Sequence, residues 1–276
     1  MVNKFQLSGD NRMIHMLDDR SNEAWANVCA VISEDSEKQI KFYLEKLKEH
    51  PGSVLELGCA TGRITEGLVA AGAGVHAIDP SIEMIKIANR RLGQLHDIRK
   101  VTITQATLQG YKPKSDETFG MAIVPHSGFM SLLTPSDQQQ FLKKVRGSLS
   151  SNGCLIIDIQ PPHQRILYGD PGVLHHVRDV EGGSGDWARL FLYSQREFDN
   201  YEQVGQIKIV AEYVNKDGVL TMKVSQDIQV RYTHRWEMNH LLMLCGFEVI
   251  GLYGDFCGGP YTSESPNMVW VARPVS

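Results

Sequence analysis

Glu56, Gly58, Ala60, Gly62 and Asp79 are the residues whose types and spacing could do chemistry. The first four fall within VLELGCATGRIT, residues 54–65. An apolar strand there runs into a bend of small residues, and a helix is expected to follow. Such a bend leaves the backbone bare, so a ligand can lie against it near the exposed N–H groups of the helix N-terminus. Two ligands compete for this pattern. A dinucleotide would place its pyrophosphate at the helix N-terminus, on the spacing G-x-G-x-x-G. Here the spacing is G-x-A-x-G, and Glu56 stands two residues before the first glycine. A buried carboxylate repels pyrophosphate and suits a cationic or amine-bearing ligand, directly or through water. Asp79 ends the next strand, where an acid in a doubly wound fold accepts hydrogen bonds from ribose hydroxyls. This second acid supports an adenosine ligand.

The elements around these residues alternate. A short helix is expected around Glu23 to Val31, and another over Asp35 to His50, where Ile40, Tyr43, Leu44 and Leu47 recur at helical spacing. Strand Ser53–Leu57 leads to helix Arg63–Ala71. Strand Gly74–Ile78 leads to helix Ser81–Leu95, with Ser81 as its N-cap. Strands follow at Val101–Gln105 and Phe119–Val124, then a helix from Pro135 to Leu149 and a strand at Cys154–Ile159, apolar on both faces. This order predicts an α/β, doubly wound, mostly parallel sheet with helices on each side. After Pro161-Pro162 the rhythm changes. WARLFLYSQREF, QIKIVAEYV and TMKVSQDIQVRY read as strands, with Asn215-Lys216-Asp217-Gly218 as a hairpin turn. They predict an antiparallel β insertion. His234–Leu244 returns to helix, and Phe247–Tyr253 and Met268–Ala272 close the sheet as its sixth and seventh strands. Trp236 and the Leu241–Leu244 cluster read as core. The organisation expected is an N-terminal arm or lid at 1–34, a main domain at 35–160 and 233–276, and an insertion at 161–232 that serves as a substrate lid or a homodimer surface.

Composition narrows the function classes. The chain has 276 residues and a formal net charge of −4. It shows no long basic run, which argues against a nucleic-acid partner. Lys143, Lys144 and Arg146 read as a solvated helix face. No segment reaches the length of a membrane span, and MVNKFQLSGDNRMIHML lacks the apolar stretch of a signal peptide. Five cysteines without a C-x-x-C pair suggest reduced thiols in a cytoplasm, with no disulfide frame and no metal site. The pair His175-His176, and His234 with His240, lack the spacing that puts two ligands on one helix face. They read as surface or cap residues. Cys59 reads as packed in the bend and not as a nucleophile.

The motif ELGCATGR, Asp79 and the segment FGMAIVPHSGF resemble the class I S-adenosylmethionine-dependent methyltransferases. QATLQGY, VRGSLSSNGCLIIDIQPP, WEMNHLLMLCGFEVIGLYGDF and SPNMVWVARP are similar to segments of a bacterial subgroup usually thought to act on small molecules. The resemblance covers residues 35 to 274. It implies a Rossmann-like methyltransferase fold, with S-adenosyl-L-methionine as cofactor and S-adenosyl-L-homocysteine as product. It also implies roles. Gly58, Cys59, Ala60 and Gly62 would pack under the methionine part of the cofactor, and Glu56 would hold its amino group through water. Asp79 with Pro80 would meet the ribose, Met84 would cover the adenine, and Ala106, Thr107 and Leu108 would border its edge. Pro125, His126 and Phe129 follow the fourth strand, where donor and acceptor meet.

Three departures from the subgroup matter. Ala60 replaces the usual middle glycine. QATLQ lacks the acid that commonly binds the adenine amine, leaving backbone groups or the Thr107 hydroxyl. The subgroup's P-F-x-S-F-x-H-L is here P-H-S-G-F-M-S-L, so Ser131 stands where its histidine would be and His126 is new. Trp25 stands where the subgroup often has a tyrosine over the active site.

Methyl transfer from a sulfonium is an in-line displacement, so positioning supplies much of the rate. An amine acceptor must arrive deprotonated, and a hydroxyl needs a base. His126 is the catalytic candidate, as base or as substrate-orienting group. Asp158 and Asp255 are secondary. Tyr168 and Tyr261, with Trp25, Phe129 and Asp255, are candidates for the pocket wall, since a ring face attracts a sulfonium. The function expected is methylation of a small molecule, at nitrogen before oxygen, with sulfur and carbon open. An RNA methyltransferase and a non-catalytic cofactor-binding partner subunit are the alternatives.

Overall fold

The computed structural model describes residues 19–32, 37–95, 100–114, 117–182 and 187–275. The rest of the expected N-terminal arm lies outside the described residues. Within it, α1 (Asp19–Ile32) and α2 (Glu37–Glu49) precede β1 (Val54–Leu57). Then α3 (Arg63–Ala70), β2 (Val75–Asp79), α4 (Ile82–Leu92), β3 (Val101–Gln105) and β4 (Phe119–Val124) alternate. The Ser81 hydroxyl caps α4 by accepting from the Met84 amide at 3.3 Å. A 3-10 turn, Gly128–Ser131, leads to α5 (Pro135–Ser148) and the long β5 (Leu149–Ile159). After α6 (Gln164–Leu167) come β6 (His175–Glu181), β7 (Arg189–Asp199), β8 (Val204–Val214) and β9 (Leu220–Arg231). The chain ends through α7 (Arg235–Leu244), β10 (Phe247–Tyr253) and β11 (Met268–Pro274).

Seven strands form the main sheet in the order β10-β11-β5-β4-β1-β2-β3, and only β11 runs antiparallel to its neighbours. The alternation of side chains splits its core in two. Ala122, Val124, Leu155 and Ile157 pack on one face with α5 and α7, and Met121, Ile123, Cys154 and Ile156 pack on the other with α2 and α3. That double burial is why β4 and β5 are apolar throughout. Strand order reverses at β1, between β4 and β2, and the crevice at such a switch point is where doubly wound sheets bind ligands.

β6 to β9 form a separate four-stranded antiparallel sheet. β6 was not legible as a strand, since His175 to Arg178 are exposed and show no alternation. The even-numbered residues of β7 make one face. Leu190 and Leu192 meet Val28 of α1, and the Phe198 ring meets Tyr232 of the main core at 5.8 Å. The insertion is therefore seated on the main domain by this inner face, with α1 between them at one end.

Two expectations fail at the surface. Leu241 and Leu242 are core, but Trp236, Met243 and Leu244 are more than half exposed, because α7 packs on the sheet through one face only. The Arg235 guanidinium covers Trp236 at 4.7 Å. Arg146 is not a solvated cation either. It donates to the carbonyls of Gly246 and Val275, tying α5 to the C-terminal strands.

Candidate active site

The bend after β1 is built from left-handed backbone. Gly58, Ala60 and Gly62 have φ of 99°, 46° and 77°. The amides of Gly58 and Cys59 both donate to the Ile78 carbonyl at 2.9 Å, pinning the bend to the end of β2. A Cβ at Gly62 would stand 2.8 Å from the Ala88 Cβ, so α3 and α4 approach too closely there for any side chain. At Gly58 nothing lies within 4 Å of the Cβ position. Glycine there is demanded by its φ, and the space above it is left to a ligand. Ala60 carries a side chain in a conformation L residues rarely adopt, at a cost of order 1 kcal/mol.

Two carboxylates flank the bend. Glu56 is 1% exposed, and its Oε2 accepts from the Thr65 hydroxyl at 2.7 Å. Burial pushes its pKa up to about 7, against the pull of that hydroxyl. A buried acid with one hydroxyl partner is suited to a cationic ligand, which would restore its charge. Asp79 accepts from the Ala60 amide at 2.8 Å and from the Ser81 amide at 2.9 Å. Burial raises its pKa, and these two amides oppose the rise. Each oxygen keeps a lone pair for a hydroxyl donor. An amine, a diol and a bare backbone face thus all find counterparts, so the residues present fit S-adenosylmethionine.

The loop after β4 brings a second group to the same edge of the sheet. Pro125 is buried, and His126 and Ser127 follow with φ of 56° and 58°. Two successive non-glycine residues in the left-handed region need outside support. Asp158, near the end of β5 and 4% exposed, supplies it by accepting from the Ser127 amide at 3.0 Å. Asp158 in turn accepts from Tyr43 at 3.3 Å and Gln39 at 3.4 Å, both on α2. Burial lifts Asp158 to about 6 despite these donors. His126 itself reaches the surface, but desolvation and then the Arg63 charge lower its pKa below the ordinary histidine value.

Residues 54–153 match the family model described as "Methyltransferase domain". The chain is 24% identical over 222 residues to the cypemycin N-terminal methyltransferase of Streptomyces sp, covering 79% of this chain and 82% of that protein. It is 26% identical over 189 residues to the malonyl-[acyl-carrier protein] O-methyltransferase of Halorhodospira halophila, covering 68% and 58%. The fold is also that of the sugar N-methyltransferase KedS8 from Streptoalloteichus sp, with a TM-score of 0.69, 17% identity, and 100% and 99% of the two chains covered.

Residues 54–153 therefore carry a methyltransferase domain, and the chain carries a methyltransferase fold.

In this methyltransferase the remaining sequence candidates fall in several places. Met84 is half-buried at the start of α4, and Pro80 is exposed, its carbonyl accepting from Gln105 at 3.0 Å. The Ala106 amide donates to the Asp79 carbonyl at 3.0 Å, and the Thr107 hydroxyl accepts from the Gly110 amide at 3.0 Å. The side chains of Leu108 and Phe129 lie in the core, Phe129 with its ring 6.0 Å from Phe141. Cys59 is buried, with its thiol pKa raised by that burial. Trp25 packs with α1 and the insertion sheet. Tyr168 is 72% exposed. Asp255 closes its own loop, accepting from the Cys257 and Gly259 amides at 2.8 and 3.1 Å. Tyr261 lies against the core with the Arg235 guanidinium 5.9 Å from its ring. His175 and His176 are exposed on β6, and among the described residues no group of three His, Cys, Asp or Glu could hold a metal. No helix of the described residues is long and apolar enough to cross a membrane.

The residues that sequence reasoning missed act through others. Arg63 reaches back to α1, donating to the Ala30 carbonyl at 3.1 Å, and its charge bears on His126. Cys29 of α1 lies close enough to Asp79 for that carboxylate to raise its thiol pKa, though burial is the larger cause. Helix α1 therefore lies against the start of α3 and close to Asp79 at the end of β2. Tyr43 and Gln39 read only as positions on an amphipathic helix.

Proposed function

We propose that this methyltransferase methylates an amine nitrogen of a small molecule, with His126 as the group that keeps the acceptor deprotonated. The observation that carries the reading is the strained His126–Ser127 turn, held by Asp158 at the ligand edge of the sheet. Of the similar proteins, one is by its name a sugar N-methyltransferase and another an N-terminal methyltransferase.

In this reading Glu56 binds the ammonium group of the cofactor, Asp79 its ribose, and Gly58 and Ala60 leave room beneath it. Bound S-adenosylmethionine supplies a sulfonium-activated methyl group. The chain's own task is orientation and proton control. An amine is a nucleophile only through its free lone pair, so the ammonium form must lose a proton first. His126, whose pKa lies below the ordinary histidine value, accepts that proton at a ring nitrogen and releases it to solvent at the rim. The insertion sheet and α1 shield the cleft from water, and Asp158 fixes the backbone that aims the imidazole.

One observation favours oxygen as the second reading: the Halorhodospira relative is an O-methyltransferase by name. A panel of amines and their hydroxyl isosteres, incubated with cofactor and followed by mass spectrometry, separates the two. Methyl gain on amines alone is expected. Gain on hydroxyls alone overturns the assignment of nitrogen, and gain on neither with cofactor bound overturns the small-molecule reading.

A further inference from the structure

A second ionic group lines a cavity beside the insertion sheet. The inner face of the four-stranded sheet carries Leu190, Leu192, Ser194, Arg196 and Phe198 on β7, paired with Tyr213, Ala211, Ile209, Ile207 and Gly205 on β8. The rows beyond continue with Val224, Gln226, Ile228 and Val230 on β9, and with His175, Arg178 and Val180 on β6. No acid stands anywhere in these rows. On the opposite face two lysines have acid partners: Lys223 pairs with Glu212 at 2.8 Å and Lys208 with Asp227 at 3.8 Å. Arg178, the inner face's other arginine, is taken up by the Ile32 carbonyl.

Arg196 has no such partner. Among the described residues it makes no ion pair and no hydrogen bond, and its Nε is fully buried without an acceptor. Burial alone lowers its pKa, with no acid to oppose the fall. A guanidinium left this way is costly unless something supplies an oxyanion. The cavity beside it holds about 250 Å³ and is lined by Ile166, Gly169, His175, Ser194 and Arg196. Ser194 is buried, and its hydroxyl makes no hydrogen bond among the described residues. Asp170 and His176 also line the cavity, but the Asp170 carboxylate caps its own turn through the Gly172 amide at 2.9 Å. His176 is held by Asp179 at 2.5 Å.

The cavity lies between the insertion sheet and the segment that follows β5. Arg196 lies between Leu192, which packs on α1, and Phe198, which packs on Tyr232. Ile166 and Gly169 follow β5, whose end carries Asp158. The wall therefore joins the insertion to the chain that leaves the end of β5, the strand whose Asp158 holds the His126–Ser127 turn.

We propose that Arg196, with the Ser194 hydroxyl, binds an oxyanion of the methyl acceptor, so that the substrate class is an amine carrying a carboxylate or a phosphate. This rests on the acceptor being a small molecule, as proposed above. A guanidinium fork pairs with either anion through two parallel N–H···O bonds, which fixes the substrate's orientation as well as its charge. The anion would be held by the insertion while the amine reaches His126, so the insertion sets specificity and the main domain does the transfer.

The test is titration calorimetry with pyrophosphate and with malonate, each in saturating S-adenosylhomocysteine, on wild type, Arg196→Met and Arg196→Lys. At least one anion should bind wild type, weaken about 30-fold or more in R196M and less in R196K, since removing one member of a desolvated ionic pair costs that much. Pyrophosphate binding identifies a phosphate-bearing acceptor, and malonate binding a carboxylate-bearing one. S-adenosylhomocysteine affinity should stay unchanged in both variants, and the melting temperature should not fall, since Arg196→Met removes a desolvated charge. R196K keeps the charge and most of the reach but loses the guanidinium fork, so it reports even if R196M is misfolded. Equal binding in wild type and both variants, or no binding by wild type at about 10 mM, overturns the proposal. Loss of S-adenosylhomocysteine binding by wild type would instead overturn the cofactor assignments, and the same samples tell the two apart.

Discussion

Glu56→Gln should make the ligand-free protein more stable and its cofactor weaker, and the size of the first effect follows from burial. The carboxyl has its ordinary value of 4.5 in the unfolded chain and about 7 in the fold. Because the folded value is the higher, the native state binds the extra proton between those limits, and stability falls as pH rises through that window. Below 4.5 the group costs nothing. Above 7 it costs roughly 3 kcal/mol, at 1.36 kcal/mol for each unit of pKa. Glutamine fills the same space, can accept from Thr65 through its amide oxygen, and has no charge to desolvate. The variant should therefore match wild type near pH 4.5 and exceed it by up to about 3 kcal/mol at pH 8.5. For a chain of this size that is a rise of roughly 6–12 °C in melting temperature. S-adenosylhomocysteine should bind roughly 10–100-fold more weakly, because an ammonium loses its charged acceptor. Urea unfolding from pH 4.5 to 9, with calorimetric titration of the ligand, measures both. Parallel pH profiles for the two proteins would show that Glu56 is not desolvated in solution, and the account of the bend as a site awaiting a cation would fail with it.

Gly62→Ala should lose about 2–4 kcal/mol, from the strained backbone together with the 2.8 Å approach to Ala88, and chemical denaturation will read it. Ala60→Gly, which removes a side chain from the left-handed region, should leave stability within about 1 kcal/mol of wild type. Asp158→Asn puts an amide NH₂ where Tyr43 and Gln39 donate, so kcat should drop while S-adenosylhomocysteine affinity holds; unchanged kcat in steady-state assays would remove Asp158 from the positioning of His126. Arg63→Gln removes a cation that lowers the His126 pKa, so the acid limb of the kcat/KM profile should move to higher pH, and an unmoved limb would mean that His126 is not the base.

The chain order of strands and helices in the main sheet was legible from sequence because each strand is covered on both faces and each helix on one. Period and apolarity then carry the information. The bend was legible for a different reason: Gly58 and Gly62 mark positive φ, which composition alone exposes. β6 was not, since an edge strand with exposed side chains has no pattern to show. Trp236 misled because the face a helix buries depends on where the neighbouring sheet lies. Asp158 stood in the sequence as a spare acid. Only the fold, by bringing α2 to the end of β5, made it the acceptor that holds the His126–Ser127 turn. Arg196 was one charge among many in a strand. What singles it out is the absence of any acid on its face, a property of register across four strands. Local sequence thus determined the elements and the cofactor bend, which depend on neighbours a few residues apart. The tertiary structure alone decided which charges lose their water and which find a partner, because those depend on residues far apart in the chain.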